Sequence, residues 1–154
     1  MHRTIVTAAA LIAAATGFIQ PACAGTMPAK TLLTVTPTSE ISSKKVEVGD
    51  VVSFVTIGDV VEHDATVIPR GSPVKGVITF KTGKAIGGKS GKFEVAFRTV
   101  QVNGKDYPLS GVHRQEGKGN TVAAVFGSML VSGRSATMSP GMEARAFTEA
   151  PISY

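Results

Sequence analysis

Residues 92–104 read KFEVAFRTVQVNG, and this stretch decides the fold class. Apolar and polar side chains alternate along it, which places Phe93, Val95, Phe97 and Thr99 on one face. An alternation with a period of two is typical of a β-strand with one buried face. The stretch ends in Asn-Gly, the strongest short signal for a β-hairpin, because its type I′ turn needs positive φ at both residues. Residues 105–111 are therefore predicted to return as the next strand.

Runs rich in β-branched residues, bounded by Gly, Pro and Asp, continue this pattern at residues 51–57 and 74–80, and it begins at Leu32. We therefore expect a mainly β fold, a small β-barrel or sandwich, with at most one short helix at about residues 120–131. In that segment apolar residues recur at helical spacing, but Gly127-Ser128 and several β-branched residues favour a strand. Both interpretations of it stay open.

A faint internal repeat supports a rolled-up sheet. Residues 65–71 (ATVIPRG) resemble residues 136–141 (ATMSPG) with one residue deleted. In each copy a short extended piece leads through a Pro-containing turn into another run of strand-forming residues. The repeat predicts two similar strand–turn–strand corners.

The first 24 residues have the features of a secretory signal peptide. A basic start is followed by an uncharged, Ala-rich stretch, and Ala22-Cys23-Ala24 has the small-x-small pattern of a cleavage site. The sequence thus predicts a signal peptide at 1–24 cleaved after Ala24, a flexible start at 25–31 and a single β-rich domain at 32–154. The expected location is the periplasm or the cell exterior. Acylation of Cys23 is the less favoured alternative, because Gln20 stands where a lipobox carries a Leu-like residue.

Composition excludes several classes. The chain has 154 residues, a size suited to one domain, and its single Cys lies in the leader. No apolar run after the leader reaches the length of a membrane-spanning helix, so no transmembrane span is predicted in the mature chain. Only 6% of the residues are aromatic and none is Trp, which disfavours both an outer-membrane barrel with aromatic girdles and a nucleic-acid binder.

Two sequence motifs look catalytic but lack their required context. Residues 83–90 (GKAIGGKS) match a phosphate-binding loop, yet a strand pattern follows where that loop needs a helix. Ser72-x-x-Lys75 and Lys81-Thr82-Gly83 match β-lactamase motifs, but they lie too close together in too short a chain. We therefore predict no catalytic residues, no cofactor and no enzyme activity.

Positive charge is concentrated in residues 70–98, which contain seven Lys and Arg residues and a single Glu. This basic segment is a candidate surface for an envelope protein or an anionic surface such as peptidoglycan or lipid head groups. A solvated loop is the alternative interpretation. Its members are Arg70, Lys75, Lys81, Lys84, Lys89, Lys92 and Arg98.

A metal site is the alternative function class. Glu62, His63 and Asp64 are adjacent, and His113 is the other histidine outside the leader. Neighbouring residues of a strand point to opposite faces, so the three adjacent ligands cannot all converge. A site would need His63 and His113 to meet beside a carboxylate, since metal sites use three or four ligands. The alternative is thus a small periplasmic metal-binding protein or enzyme.

The order of features in residues 59–148 resembles the C-terminal β-barrel domain of the TrbI family, an outer-membrane-complex subunit of type IV secretion systems. The shared features are the I-P-x-G-S corner at residues 68–72, the alternating strand from Phe93, Asn103-Gly104 before Tyr107-Pro108, Gly117-x-Gly119, and residues 138–141 before the last strand. The resemblance implies the barrel fold and a role in protein assembly in the envelope. It does not extend to channel formation, because residues 121–131 are too short to cross a bilayer. The expected function is therefore that of an exported, non-catalytic β-barrel module that acts by binding or assembly in the cell envelope.

Overall fold

A computed structural model describes residues 25–83, 90–117 and 134–154. These residues form thirteen β-strands, and there is no helix among them. The strands are β1 (Thr26–Met27), β2 (Leu32–Pro37), β3 (Ile41–Ser42), β4 (Val51–Thr56), β5 (Val60–Glu62), β6 (Ala65–Ile68), β7 (Pro73–Thr82), β8 (Lys92–Val102), β9 (Lys105–Ser110), β10 (Val112–Glu116), β11 (Thr137–Met138), β12 (Ala144–Thr148) and β13 (Ile152–Ser153). The segment at 120–131, predicted as a helix or a strand, lies outside the described residues.

Six strands close into a ring in the order β2, β4, β7, β8, β9, β12 and back to β2. Every neighbouring pair is antiparallel, and the pairing of β8 with β9 completes the ring. β10 extends the same sheet beside the first half of β8. The prediction of a mainly β fold, a small barrel or sandwich, is confirmed.

The barrel interior is filled by side chains from all sides of the ring. Phe54 of β4 and Phe97 of β8 pack edge to face, with ring centroids 5.2 Å apart and an interplanar angle of 78°. Phe93, Val95 and Leu33 are also fully buried around them. Aromatic pairs in this geometry add stability beyond the area that they bury.

The decisive strand and its hairpin form as predicted, with one exception. β8 spans the predicted residues, and Asn103 and Gly104 have φ of 49° and 76°, as a type I′ turn requires. The register with β7 shifts between Phe97 and Thr99, which leaves Arg98 as an extra bulged residue. Thr99 therefore does not continue the buried face, and Val100 takes that place.

Both predicted corners are present. In the first, the N–H of Ser72 donates to the carbonyl of Pro69 (3.2 Å), and in the second that of Met142 donates to Ser139 (3.0 Å). The glycine of each corner lies in the left-handed region, with φ of 84° at residue 71 and 94° at residue 141. The N–H of Gly71 donates to the carbonyl of Thr56 at the end of β4. The N–H of Gly141 donates to the hydroxyl of Thr36 near the end of β2. The repeated sequence thus marks two equivalent junctions of the ring.

Residues 25–31, predicted as a flexible start, are instead held by the rest of the domain. β1 pairs with β13, and Met27 is fully buried in the core. Thr31 donates its N–H to the hydroxyl of Thr148 and accepts a backbone hydrogen bond from the same residue. This segment is held because the side chain of Met27, which lies in a short polar stretch of the sequence, covers the apolar interior of the barrel.

Candidate functional site

An apolar row crosses the outer face of the sheet formed by β4, β7, β8 and β10. The strand register places its four members side by side, on the face of the sheet opposite to the buried side chains of Val95 and Phe97. Val51 and Val112, at the two ends, are 66% and 62% exposed. Phe80 lies beside the row and is also exposed. The apolar row consists of Val51, Val77, Ala96 and Val112.

Next to the apolar row lies an ion-pair cluster on β8 and β10. Arg114 contacts Glu94 at 3.3 Å and Glu116 at 3.2 Å, and Lys92 contacts Glu116 at 2.9 Å. The Arg114 guanidinium also lies over the Phe80 ring, 5.9 Å from its centroid. The hydrogen bond from Lys92, together with the positive charges of Lys92 and Arg114, holds the pKa of Glu116 below its usual value.

β10 is the open edge of this sheet, since among the described strands it pairs with β8 alone. The carbonyl of Gly111 accepts from Phe97, and the N–H of Gly117 donates to Gly91. Antiparallel pairing alternates, so the odd-numbered residues of β10 face β8 and the backbone groups of Arg114 and Glu116 face the other way. The N–H and C=O groups on the side of β10 away from β8 thus belong to Val112, Arg114 and Glu116.

A groove of about 320 Å³ runs along this edge. One wall is the end of β10 and the other is the chain around β11. Arg134 is exposed on the second wall, and no acidic partner for it is found in the described part of the chain. The lining residues, called the edge groove below, are Gln115, Glu116, Gly117, Arg134, Ser135, Thr137 and Met142.

Gly111 marks the bend between β9 and β10. Its φ of 128° is one that residues with side chains rarely adopt, and a Cβ there would lie 3.2 Å from the carbonyl oxygen of Arg145. Before this glycine the chain pairs with both β8 and β12, whereas after it the chain follows β8 alone. At Gly111 the chain therefore leaves β12 and continues beside β8 as β10.

The structure distributes the predicted basic segment around the barrel. Lys75 pairs with Asp106 at 3.4 Å, Lys81 with Glu47, and Lys92 with Glu116. The Lys81 side chain is only 18% exposed. Acidic residues from other parts of the fold thus pair with three of the seven basic residues. Lys84 and Lys89 lie outside the described residues.

Arg70 and Arg98 are the other two described members of the basic segment. The backbone N–H of Arg70 donates to the Asp59 carboxylate at 2.6 Å, which fixes the first corner. Arg98 is the bulged residue of β8 and its side chain is exposed. The anionic-partner surface stays a prediction, because Lys84 and Lys89 lie outside the described residues.

The two histidines of the alternative metal site lie on different elements. His63 is at the tip of the β5–β6 hairpin, with its side chain 82% exposed and 3.5 Å from Glu62. His113 is on β10 and contacts Gln115 at 3.3 Å. Within residues 25–83, 90–117 and 134–154, no group of three His, Cys, Asp or Glu side chains is placed to hold a metal ion.

The described parts of the two catalytic-looking motifs lie in β7 or directly beside β7 and β8. Lys92, two residues after the phosphate-loop match, already belongs to β8, where that motif needs a helix. The middle of the match, residues 84–89, lies outside the described residues. Ser72 donates its hydroxyl to Pro69, and Lys75, on the exposed face of β7, contacts Asp106. The Ser and Lys of the other motif are therefore not directed at one another.

Sequence reasoning missed both the apolar row and the edge groove. The position of Val112 beside Ala96 depends on the pairing of β10 with β8, which the sequence does not show. The outward position of Val51 depends on its register with Val77, which sequence alone does not give. The groove lies between the end of β10 and the chain around β11, two segments whose proximity the sequence does not show.

A search against protein-family models and against curated proteins finds no match to this chain. The resemblance to the TrbI barrel domain therefore stays a prediction. Among the residues that the structure describes, no helix is long and apolar enough to span a membrane.

Proposed function

We propose that this chain is an exported, non-catalytic β-barrel module that acts by binding or assembly in the bacterial cell envelope. The observation that carries the proposal is the apolar row, with Phe80 beside it, on the outer face of the sheet. Exposed apolar side chains that lie next to one another, rimmed by charged residues, are typical of protein interaction sites. The ion-pair cluster supplies such a rim on one side.

The packing of the interior supports binding on the outside. Gly76 lies so close to Val95 that a single added carbon would be 2.6 Å from its Cγ1 atom. Small barrels filled in this way hold side chains where larger ones enclose a ligand. A partner would therefore meet the barrel through its outer strands and loops.

Export with cleavage after Ala24 is consistent with the position of the first described strand. Cleavage after Ala24 would leave every described strand intact, since β1 starts at Thr26. Gly25, just before β1, donates its N–H to the carbonyl of Tyr154 and accepts a hydrogen bond from the N–H of Tyr154, both at 2.9 Å. We expect N-terminal sequencing of the chain, recovered from a bacterial host, to begin at Gly25.

Site-specific photocrosslinking tests the binding role. A photoreactive amino acid replaces Val51 or Val112, and Gln101, exposed at the far end of β8, serves as the matched control position. We expect crosslinks to an envelope protein from the two row positions and none from position 101. Equal crosslinking from all three positions, or a protein that stays in the soluble periplasm without crosslinks, would contradict the proposal.

A further inference from the structure

Arg98 lies beside the apolar row, on the side of the row away from the ion-pair cluster. Along β8 the side chain of Phe97 is buried, and those of Ala96 and Arg98 point outward, about 7 Å apart on the same face. The register with β7 shifts at this point, so that Arg98 and Thr99 both oppose Lys75. Bulges of this kind redirect a side chain and are frequent next to functional sites. The exposed Arg98 side chain therefore stands at the rim of the apolar row.

The charge of Arg98 is not paired within the protein. All eleven Asp and Glu residues of the chain lie in the part that the structure describes, and none of them forms an ion pair with Arg98 there. The segments outside that part contain no Asp or Glu. The neighbouring Lys75 differs, because it contacts Asp106 at 3.4 Å. A carboxylate that pairs with Arg98 therefore has to come from another molecule.

The apolar row determines what that molecule carries next to its carboxylate. The row crosses four strands, which at about 4.8 Å per strand gives a length of about 14 Å. Apolar side chains of a partner fit along it, with a carboxylate about 7 Å to one side, opposite Arg98. Arginine is enriched among the residues that dominate binding energy, and its guanidinium accepts a carboxylate through two parallel hydrogen bonds.

A protein partner fits this surface better than a lipid surface does. Proteins that lie on membranes insert large side chains such as Trp, Phe and Leu below the head groups. The row consists instead of three valines and an alanine, set in the face of a sheet between rows of charged residues. Small apolar side chains flanked by charges are suited to the side chains of another protein.

We propose that Arg98 and the apolar row together bind a partner protein through apolar side chains that stand next to an Asp or Glu residue, whose carboxylate pairs with Arg98. This inference rests on the proposed binding role. It names the arginine that is used and the chemistry of the partner surface.

The first test measures crosslinking in bacterial cells from a photoreactive amino acid at position 51. We expect Arg98→Glu to lower the yield of the crosslinked envelope protein about tenfold, because attraction becomes repulsion. Arg98→Lys should lower it less, since lysine keeps the charge but lacks the planar fork. Arg145→Glu is the matched control, because Arg145 is exposed on β12, has no ion pair among the described residues and lies outside the strands of the row. Thermal unfolding verifies that the variants fold.

The second test addresses the carboxylate of the partner. The purified mature chain, with the photoreactive residue at position 51, is added to isolated envelopes whose carboxylates have been converted to amides with carbodiimide and methylamine. We expect the crosslink to be lost, whereas acetylation of envelope lysines should leave it unchanged. Wild type and Arg98→Glu should both fail to sediment with phosphatidylglycerol vesicles.

Three results would overturn the inference: a yield that Arg98→Glu leaves unchanged, an equal loss with Arg145→Glu, or a crosslink that survives amidation. Vesicle binding that Arg98→Glu abolishes, or crosslinks to a second copy of the chain alone, would also overturn it, because the surface would then have another occupant. If the wild type still crosslinks to an envelope protein, the proposed function stands and only the role of Arg98 is wrong. A wild type without crosslinks contradicts the proposed function itself.

Discussion

At the scale of single residues, Gly76 shows how closely the barrel wall is packed. A Cβ at this position would lie 2.6 Å from Cγ1 of Val95 and 3.3 Å from the ring of Phe54. Val95 belongs to a β-branched residue type with little rotamer freedom, so it cannot simply turn away. The absence of a side chain at residue 76 is therefore what allows β7 to lie against the aromatic pair of the core.

We predict that Gly76→Ala lowers the free energy of unfolding by about 1–3 kcal/mol, because it overpacks a filled core. Gly58→Ala is the control, since no atom lies within 4 Å of its added carbon. Urea unfolding measures both. Combining Gly76→Ala with Val95→Ala should cost less than the two single changes together, because the clashing methyl group is gone. Simple additivity of the two would show that the contact is not the cause.

At the scale of strands, β8 illustrates what the sequence can and cannot predict. Its length, its hairpin and its buried residues up to Phe97 follow from alternation and from Asn-Gly, which are local signals. Thr99 was placed on the wrong face because the bulge at Arg98 arises from pairing with β7, which is not local. In the same way, the sequence shows the basic segment but not its partners Glu47, in the connection before β4, and Asp106, on β9.

The ion-pair cluster between β8 and β10 gives a pH-dependent prediction. The pKa of Glu116 is lower in the folded protein than in the unfolded chain, owing first to its hydrogen bond with Lys92. Its contribution to stability is therefore complete above the unfolded pKa and is lost as the pH falls through the folded pKa. We expect Glu116→Gln to lower the thermal midpoint slightly near neutral pH and to lose this effect as the pH falls through the folded pKa.

Thermal unfolding at several pH values measures this difference, with Glu40→Gln as the control because no ion pair is found for Glu40 within the described residues. The difference between wild type and Glu116→Gln should shrink as the pH falls, and that for Glu40→Gln should stay near zero. A Glu116→Gln effect that is the same at both ends of the range would contradict the ion-pair explanation.

At the scale of the whole molecule, the barrel is held by contacts between the two ends of the described chain. β1 pairs with β13, and Thr31 is joined to Thr148 across 117 positions. Tyr154 also donates its hydroxyl to the carbonyl of Glu62, in the middle of the chain. The buried side chain of Met27 belongs to the same core as Ile152 and Leu33. The segment that looked peripheral in the sequence thus closes one side of the core.

We predict that Met27→Ala lowers the free energy of unfolding by about 2–5 kcal/mol, since it removes a fully buried side chain. Leu32→Ala, which truncates a side chain that is 46% exposed, is the control and should cost well under half as much. Chemical denaturation of the mature chain measures both. Similar losses for the two variants would mean that the start of the chain is not integrated into the core.

The pairing of β2 with β12 has a consequence for how this protein reaches its native state. When a chain emerges with its N-terminus first, β2 and β4 can pair early, but β2 has to wait for its second neighbour until β12 has appeared. Proteins dominated by such distant pairings have high contact order and fold slowly, over milliseconds to seconds. During that interval one edge of β2 is unpaired, and unpaired edges are where aggregation begins. The barrel therefore depends on remaining protected until synthesis or translocation has delivered β12, its last ring strand.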